Sequence, residues 1–318
     1  MTLEYAKTSP LWWEAVPAGP TRRPPAADLS ADVVIVGAGF TGLWSAYYLK
    51  RLAPELRVVV LERDHVGFGA SGRNGGWCHP EYPLGLATLA YRHGKEAALR
   101  FQHAAMDAVH EIARVCEAEA IDCHFALGGR LLVARSPLQA QRAAADVAEQ
   151  HALGVSPDDL RYLSAIEARA LSGLTKVQGA SYLSCAAALQ PALLVHGLAR
   201  TAERLGVEIY EGVTVTTLAP GGAHFRSATY RGRATAASTL RATEGYTKAF
   251  KGERRTIIPL YSLMIATEPL NGATLEAVGL ERREVFADYG HMVIYGQRTH
   301  DGRIALGGRG APYHFGSG

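Results

Sequence analysis

The sequence predicts an α/β fold (α+β overall) in which one domain carries a parallel sheet and a β-meander and a second domain carries a mixed sheet. Two apolar, β-branched runs at residues 32–36 and 57–61 are typical of strands buried on both faces. Between them, Leu43, Ala46 and Leu49 recur at helical spacing. Strand, helix and strand therefore alternate, as in a parallel sheet with crossover helices.

Three glycines follow the first predicted strand with the spacing of a nucleotide-binding turn. Gly37 permits a tight turn, Gly39 lets backbone approach a pyrophosphate, and Gly42 allows the helix to pack closely on the strand. The helix begins near Phe40, so its unpaired N–H groups face the phosphates. Glu62 closes the second strand, where a carboxylate can accept both hydroxyls of an adenosine ribose. The segment predicts a Rossmann-like dinucleotide-binding domain, and a tight βα turn without a nucleotide is the alternative.

Composition and charge exclude several classes of protein. The chain has 318 residues, 48% of them hydrophobic and 20% charged, which is typical of a globular protein large enough for two domains. The 33 basic and 30 acidic residues are mixed along the chain, so nucleic acid is not an expected partner. The first residues lack the apolar core of a secretory signal and no apolar run could span a membrane, so we expect a cytoplasmic location. The histidines and cysteines show no metal-ligand spacing, so no metal is expected.

The rest of the chain continues as a mixture of helices and strands. Residues 86–120 place apolar side chains on one helical face, and Ser136 followed by Pro137 indicates the start of a helix that runs to residue 153. A further helix over residues 191–205 should end at Gly206. Strands are predicted, in chain order, at residues 128–134, 207–210, 213–218, around 225, around 230, at 237–243, 257–270, 292–298 and 303–310, and those from 213 to 243 supply the meander.

These elements divide the chain into two discontinuous domains. The predicted domains are residues 1–82 with 178–249, which would bind the nucleotide, and residues 83–177 with 250–318, which would form the substrate domain. The first 30 residues form an arm rich in proline and alanine, which should run extended over the surface. Trp12 and Trp13 are expected to fasten this arm to the body of the protein.

A second glycine-rich loop, GFGASGRNGGW at residues 67–77, directly follows the predicted ribose-binding acid. Its five glycines, together with Ser71, Arg73 and Asn74, form a stretch suited to phosphate. The loop favours FAD over NAD because FAD is longer and makes more phosphate and ribityl contacts. A solvent-exposed connector is the alternative, in which Arg73 is a surface arginine.

These motifs resemble those of the FAD-dependent oxidoreductases of the D-amino-acid oxidase superfamily. The similar strings are GAGFTG, VVLERDHVGFGASGRNGGW, LQPALLVHGLARTAERLGVEIYEGVTV and RATEGYT, and the similarity runs from about Trp12 to the last residue. The ASGRNGG string indicates the branch of gamma-glutamylputrescine oxidase-like proteins. The resemblance implies a Rossmann-like FAD-binding domain, a mixed-sheet substrate domain, and the oxidation of an amine or amino acid.

The resemblance also implies a set of cofactor contacts. The pyrophosphate would lie at the first glycine turn, the adenosine ribose at Glu62, and the adenine beside Arg63 and Val215. The second glycine-rich loop would pass the pyrophosphate and reach the isoalloxazine ring. The implied FAD-binding residues are Gly37, Ala38, Gly39, Phe40, Thr41, Gly42, Glu62, Arg63, Ala70, Ser71, Arg73, Asn74, Gly75, Gly76, Val215, Thr243 and Gly245.

In this superfamily the flavin carries the chemistry, and the α-carbon of a neutral amine gives a hydride to flavin N5 to leave an imine. Such a reaction needs an apolar, water-poor pocket and does not require a side-chain base. The candidates for the pocket, all in the predicted substrate domain, are Tyr261, Tyr289, His291 and Tyr295. Core packing with a tethered hydroxyl is the alternative for each tyrosine.

The sequence departs from the superfamily in two places. Ala305 stands where several relatives carry a lysine over the flavin, so the electron acceptor is either oxygen or another, unidentified molecule. Relatives continue beyond the string GGRGAPYHFG, and we therefore expect this chain alone to bind FAD weakly and to turn over amines slowly. Two alternatives stay open: a non-catalytic flavin- or nucleotide-binding fragment of such an enzyme, and an NAD-dependent dehydrogenase, which the second glycine-rich loop disfavours.

Overall fold

Helices and strands alternate along the chain in the computed structural model, which describes residues 10–258, 260 and 262–309, the last of these by its backbone alone. The helices are α1 Leu11–Glu14, α2 Phe40–Leu52, α3 Leu86–His93, α4 Lys95–Ala118, α5 Pro137–Leu153, α6 Ala165–Leu171, α7 Pro191–Arg204 and α8 Gly272–Val278. The strands are β1 Leu29–Val36, β2 Val58–Leu61, β3 Trp77–Cys78, β4 Arg130–Ala134, β5 Leu160–Ser164, β6 Gly179–Leu183, β7 Ala187–Ala188, β8 Glu208–Tyr210, β9 Thr214–Ala219, β10 Gly222–Arg226, β11 Arg231–Arg241, β12 Ser262–Ala266, β13 Val285–Asp288, β14 Ile294–Arg298 and β15 Ile304–Arg309. Short 3-10 helices lie at Ala70–Gly72 and Glu244–Ala249. Among the described residues, no helix has both the length and the apolar composition of a membrane span.

Close packing divides the chain into two units. Of the described residues, the first unit holds those of Met1–Asn74, Ile121–Cys123 and Pro191–Pro259, and the second unit holds those of Gly75–Ala120, His124–Gln190 and Leu260–Gly318. Each unit is discontinuous in sequence. The assignment of a cofactor domain to residues 1–82 with 178–249, and of a substrate domain to residues 83–177 with 250–318, stays a prediction.

The first unit is built on a six-stranded sheet in the order β8-β2-β1-β11-β10-β9. The strands β8, β2, β1 and β11 are parallel, and β10 and β9 extend the sheet as an antiparallel meander. The register pairs Val36 with Leu61 on one side and with Arg241 on the other, so three parallel strands end at one edge. The glycine turn after Val36 lies at this edge, where open α/β sheets bind their ligands.

The inner strands of this sheet are buried, as their unbroken apolar runs predict. Val34, Ile35 and the residues of β2 are at most 1% exposed. Helix α2 packs against them so closely that a Cβ on Gly42 would collide with the carbonyl oxygen of Gly37 and would lie 3.2 Å from Cγ2 of Ile35. Only glycine fits at this contact, which confirms the predicted role of Gly42 in helix–strand packing.

The second unit is built on a mixed seven-stranded sheet in the order β12-β15-β14-β13-β4-β6-β5. Strand β13 pairs with β4 in parallel, and the other neighbouring strands are antiparallel. Leu131, Val133 and Phe286 belong to an apolar cluster on one face of the sheet. Because side chains alternate along a strand, Arg130 and Leu132 lie on the opposite face of β4. The parallel and mixed sheets of the two units confirm the predicted fold class.

Several predicted elements differ from the observed ones. The predicted helix over residues 86–120 is two helices, because Gly94 adopts a φ of +86° and breaks it. The segments predicted around Tyr230 and at residues 237–243 belong to one continuous strand, β11, which starts after Tyr230. Within residues 257–270 only β12 is a strand in the part of the chain that is described. The sequence pattern does not predict α6, α8, β5, β6 or β13, because elements this short contain too few periods to be recognised.

Candidate functional site

The edge at which β1, β2 and β11 end opens into a cavity of about 190 Å³ in the first unit. Of the residues predicted to bind FAD, the following line this cavity: Gly37, Gly39, Phe40, Thr41, Glu62, Arg63, Ala70, Ser71, Val215 and Thr243. The other predicted residues lie outside its lining: Ala38, Gly42, Arg73, Asn74, Gly75, Gly76 and Gly245. Segments that are distant in sequence therefore line one cavity, which lies beside the glycine turn.

Glu62 connects the glycine turn to the end of β2. One of its carboxylate oxygens accepts the N–H of Ala38 at 2.8 Å, and the other accepts the N–H of Asp64 at 2.9 Å. Burial raises the pKa of the Glu62 carboxyl, and the two backbone N–H groups oppose that rise. An ionised carboxylate has about four lone-pair positions, so roughly two remain for further donors in the cavity. Glu62 thus has a structural role that the sequence does not predict, in addition to its predicted contact with ribose.

The two glycine-rich loops meet at the amino end of α2. Gly39 precedes the helix with φ −88° and ψ −173°, and it has no side chain to cap the first turn. Ser71, from the second loop, accepts the Phe40 N–H on its Oγ at 2.9 Å. A Cβ on Gly39 would lie 2.8 Å from the same Oγ. The first turn of α2, whose N–H groups favour an anion, is therefore bordered by backbone and one hydroxyl.

The N-terminal arm fastens the second loop. Trp12 donates its Nε1–H to the carbonyl oxygen of Asn74 at 2.8 Å, and Trp13 donates to that of Gly72 at 3.1 Å. The Asn74 side-chain amide in turn donates to the carbonyl oxygen of Ser71 at 3.0 Å. The expectation that the two tryptophans fasten the arm is confirmed, and the structure adds that their hydrogen bonds go to the glycine-rich loop.

Aromatic side chains that the sequence does not predict form part of the cavity wall. Tyr246 lies under the guanidinium of Arg63, which is 4.6 Å from the ring centroid and pairs with Asp64 at 2.8 Å. The ring centroids of Phe68 and Tyr246 are 6.5 Å apart. The Arg73 guanidinium lies 4.2 Å from the centroid of the Phe68 ring. In the sequence, Phe68 and Tyr246 are indicated only by their positions inside the strings GFGASG and TEGYT, because the glycine motif specifies no aromatic residue.

Gly75 and Gly76 belong to the second unit. Gln297, which is wholly buried, donates its side-chain N–H groups to the carbonyl oxygens of Gly75 at 2.7 Å, Gly76 at 3.1 Å and Leu189 at 3.2 Å. Gln297 is 222 positions from Gly75, so no local pattern could indicate this contact. Gly245 lies in the 3-10 helix after β11, outside the cavity lining.

Three of the four predicted substrate-pocket residues lie in the part of the chain that is described, and no described hydrogen bond or ring contact joins them. Tyr261 lies outside the described residues, and His291 is exposed. Tyr289 follows β13 and lines a cavity of the second unit, where burial raises the pKa of its phenol. Tyr295 lies on β14, with its hydroxyl 2.8 Å from Oγ of Ser262, and it is not part of that lining.

Two further features of the described residues concern metal binding and cysteine chemistry. No group of three or more His, Cys, Asp or Glu side chains among them is arranged to hold a metal ion. All four cysteines are buried, and none forms a disulfide within this part of the chain. Ala305 is buried on β15, where the register places it opposite Gln297.

The chain is similar in sequence to proteins named as oxidoreductases. It is 28% identical over 302 residues to the probable oxidoreductase OrdL of Rhizobium meliloti, covering 94% of this chain and 69% of that protein. It is 27% identical over 285 residues to gamma-glutamylputrescine oxidoreductase of Escherichia coli, covering 88% of this chain and 65% of that protein. A probable oxidoreductase OrdL of Haemophilus influenzae is 26% identical, covering 87% and 64%. The chain thus spans about two thirds of the length of these curated relatives.

Solved structures share the fold. Glycine oxidase from Geobacillus kaustophilus superposes with a TM-score of 0.65 at 18% identity, over 90% of this chain and 73% of that one. L-proline dehydrogenase from P. horikoshii superposes with a TM-score of 0.68 at 17% identity, over 89% and 71%. The family model described as FAD dependent oxidoreductase matches residues 32–318, which is most of the sequence. The chain therefore belongs to this family of FAD-dependent oxidoreductases.

Proposed function

We propose that the cavity of the first unit binds the adenosine diphosphate part of FAD, with Glu62 accepting the ribose hydroxyls. The observation that carries the proposal is the Glu62 carboxylate, which holds one backbone N–H on each oxygen and lines the cavity beside the glycine turn. The first turn of α2 would face the pyrophosphate. Val215 and Phe250 give the same cavity an apolar wall that suits adenine. The remaining residues of the predicted FAD-binding set stay proposed contacts.

We further propose that the protein oxidises an amine or an amino acid. Bound FAD would supply the acceptor for a hydride from the α-carbon, leaving an imine. The support is similarity: relatives are named gamma-glutamylputrescine oxidoreductase, glycine oxidase and L-proline dehydrogenase. The proposed electron acceptor is oxygen or another molecule, since the position that the resemblance assigns to a lysine holds Ala305.

The residues of the first unit would bind and orient the cofactor and would not transfer protons. Backbone and the Ser71 hydroxyl border the first turn of α2, and backbone groups are fixed before a ligand binds. Preorganised donors cost little reorganisation when negative charge approaches them. This arrangement suits a cofactor that is retained during turnover.

The proposal is tested by titrating the purified chain with FAD and then mixing the complex, without oxygen, with a panel of amines and amino acids. We expect the titration to show saturable, weak FAD binding, and the bound flavin to bleach slowly with at least one amine or amino acid, without added nicotinamide. Flavin binding with reduction only by NADPH would overturn the amine reaction. Failure to bind FAD would overturn the cofactor site as well.

A further inference from the structure

The meander of the first unit carries a second cavity, which opens to the surface and has a volume of about 700 Å³. It shares no lining residue with the proposed cofactor cavity. A volume of about 300–1,000 Å³ is typical of sites for small molecules. The charged and titratable residues in its lining are Asp28, His224, Arg226, Arg231 and Arg233.

The register of β10 and β11 places the four basic residues of this lining on one face of the sheet. In this antiparallel pair, His224 is opposite Arg233. Arg226 is opposite Arg231. All four are exposed, whereas Phe225, which alternates with them on β10, is buried in the apolar cluster on the other face. We call these four residues the basic face.

The arginines of the basic face are not neutralised within the fold. Like charges directly opposite each other on antiparallel strands destabilise a sheet. In the part of the chain that is described, Arg226, Arg231 and Arg233 form no ion pair and donate no side-chain hydrogen bond. The sheet therefore keeps an unfavourable arrangement of charges that its own described residues do not offset.

Asp28 is the one acidic residue among the described residues of the lining, and its carboxylate is already engaged. Its Oδ1 accepts the backbone N–H of Arg233 at 2.8 Å and the hydroxyl of Tyr230 at 3.0 Å. These two hydrogen bonds, that of the backbone first, lower the pKa of the Asp28 carboxyl, which therefore stays ionised. One carboxylate facing three guanidinium groups leaves a net positive charge at the cavity.

The charge and the spacing of these groups favour phosphate over other anions. The donors of a guanidinium form a fixed fork that matches the oxygens of a phosphate or a carboxylate. A phosphate monoester carries a charge of about −1.5 to −2 and three strong acceptor oxygens. One phosphate can therefore neutralise both Arg226 and Arg231, which oppose each other across the strands. A single carboxylate would leave one of the two charges uncompensated.

We infer that the basic face is a binding site for the phosphate group of a ligand, which Arg226 and Arg231 share and toward which Arg233 adds positive charge. The inference concerns a site separate from the cofactor cavity and does not depend on the proposed oxidation of amines. Soluble phosphate compounds and anionic phospholipids share this chemistry, and the test distinguishes the two sources.

The first measurement is calorimetric titration of the full chain with pyrophosphate, in the presence of excess FAD so that the cofactor cavity is occupied. Tricarballylate, a carboxylate compound of similar charge, is the comparison. We expect pyrophosphate to bind at least about tenfold more tightly than tricarballylate, because its oxygens satisfy both guanidinium forks. Added sodium chloride should weaken the binding, since the site is exposed. Equal affinity for the two anions would overturn the assignment to phosphate.

The double variant Arg226→Gln/Arg231→Gln should bind pyrophosphate about tenfold or more weakly than the unsubstituted chain. Its thermal stability should not fall, because the substitutions remove charges that repel each other. Arg92→Gln/Arg142→Gln is the matched control, since it removes the same charge from exposed positions of the second unit. An unchanged affinity in the first variant, or an equal loss in both, would show adventitious binding and would sink the inference.

A lysine variant separates charge from geometry at the same two positions. Arg226→Lys/Arg231→Lys keeps both charges and loses both forks, so its affinity for pyrophosphate should lie between that of the unsubstituted chain and that of the Gln variant. The same result is expected if the Gln variant does not fold, because the lysine variant alone still reports the loss of the forks. A lysine variant that binds as tightly as the unsubstituted chain would contradict the shared phosphate.

Cosedimentation with vesicles of phosphatidylcholine containing phosphatidic acid identifies the source of the phosphate. Binding to these vesicles that requires Arg226 and Arg231 would assign the site to a lipid headgroup. Binding of pyrophosphate alone with the same requirement would assign it to a soluble compound, and either result supports the inference. Titrating FAD into the double variant separates the two proposals, because FAD affinity should not change. Failure of every variant to bind FAD would count against the cofactor proposal and not against the basic face.

Discussion

The cavity beside the glycine turn in the first unit and the polar cavity of the second unit that Arg130, Ser181 and Tyr289 line are assembled in different ways. In the first, Glu62 holds the glycine turn through the backbone of Ala38, only 24 positions away, and glycines border the helix that faces the cavity. In the second, the hydroxyls of Ser181 and Tyr289 come from positions 108 residues apart. The glycine turn and Glu62 of the first cavity belong to one short strand–helix–strand segment, whereas the second cavity combines side chains that a sheet brings together.

This difference shows which kinds of site leave a signature in one sequence. A ligand that must approach backbone requires glycine at fixed spacing, because any Cβ would occupy the contact. A ligand recognised by side chains requires only that strands pair in a given register, and that register has no local motif. Variants that act on one cavity and leave the other unchanged test whether the comparison is correct.

The largest effect is expected from Gly39→Val. An added Cβ would lie 2.8 Å from Ser71 Oγ at the first turn of α2, and the two methyl groups would extend further into the same space. We expect FAD affinity to fall by about a hundredfold or more, since overpacking costs about 1–3 kcal/mol and phosphate access is blocked as well. Gly85→Val is the control, because a Cβ there meets nothing within 4 Å. Equal FAD stoichiometry in both variants would mean that the turn is only structural.

Glu62→Ala should weaken FAD binding by about tenfold or more. The substitution removes charge-assisted hydrogen bonds to two ribose hydroxyls, whose contribution to binding is reduced by the cost of desolvating the carboxylate. It should also lower thermal stability, because the N–H groups of Ala38 and Asp64 lose their acceptor. Glu208→Ala is the control, since that carboxylate forms a partly exposed ion pair with Arg57, which directly precedes β2. A loss of stability without any change in FAD affinity would assign Glu62 a structural role alone.

The pH dependence of FAD affinity should reflect the same carboxyl. Burial raises the folded-state pKa of Glu62 above its ordinary value of 4.5, and the ribose contact needs the ionised form. FAD affinity should therefore decrease as pH falls through that raised pKa, and Glu62→Gln should remove this dependence. Without FAD, the free energy of unfolding has the opposite pH dependence. A carboxyl whose pKa is raised in the folded state stabilises the fold at pH values below its unfolded-state pKa, and this stabilisation is lost as pH rises through the folded-state pKa. An FAD affinity that is independent of pH in the unsubstituted protein would contradict the assignment.

The smallest effect is expected from Trp13→Phe. The substitution removes the Nε1–H bond to Gly72 and keeps an aromatic ring beside His65 and His196. One neutral hydrogen bond contributes about 0.5–1.5 kcal/mol, so FAD affinity should fall by only about two- to tenfold. A larger loss of FAD affinity, accompanied by a large loss of thermal stability, would show that the arm acts on the whole protein and not on the loop.

Much of the fold could be predicted because its signals are local. The run that forms β2 is four buried residues long, and Ser136 caps α5 by accepting the Gln139 N–H on its Oγ, as the Ser-Pro pair predicts. The break at Gly94 is not predicted because a single glycine inside a helical pattern does not by itself end a helix. The continuous β11 could not be predicted because its length depends on pairing with β1 and β10. Likewise, the sequence indicates the glycines and Glu62 of the cavity but not Phe68 or Tyr246.

The most direct test of the central claim is a crystal structure of the protein with FAD bound. The account predicts that the ribose hydroxyls of the adenosine lie about 2.5–3.0 Å from the carboxylate oxygens of Glu62, with the pyrophosphate at the first turn of α2. The N–H groups of Ala38 and Asp64 should keep their bonds to the same carboxylate. Adenosine bound outside the cavity of the first unit, or a ribose without a contact to Glu62, would contradict the account.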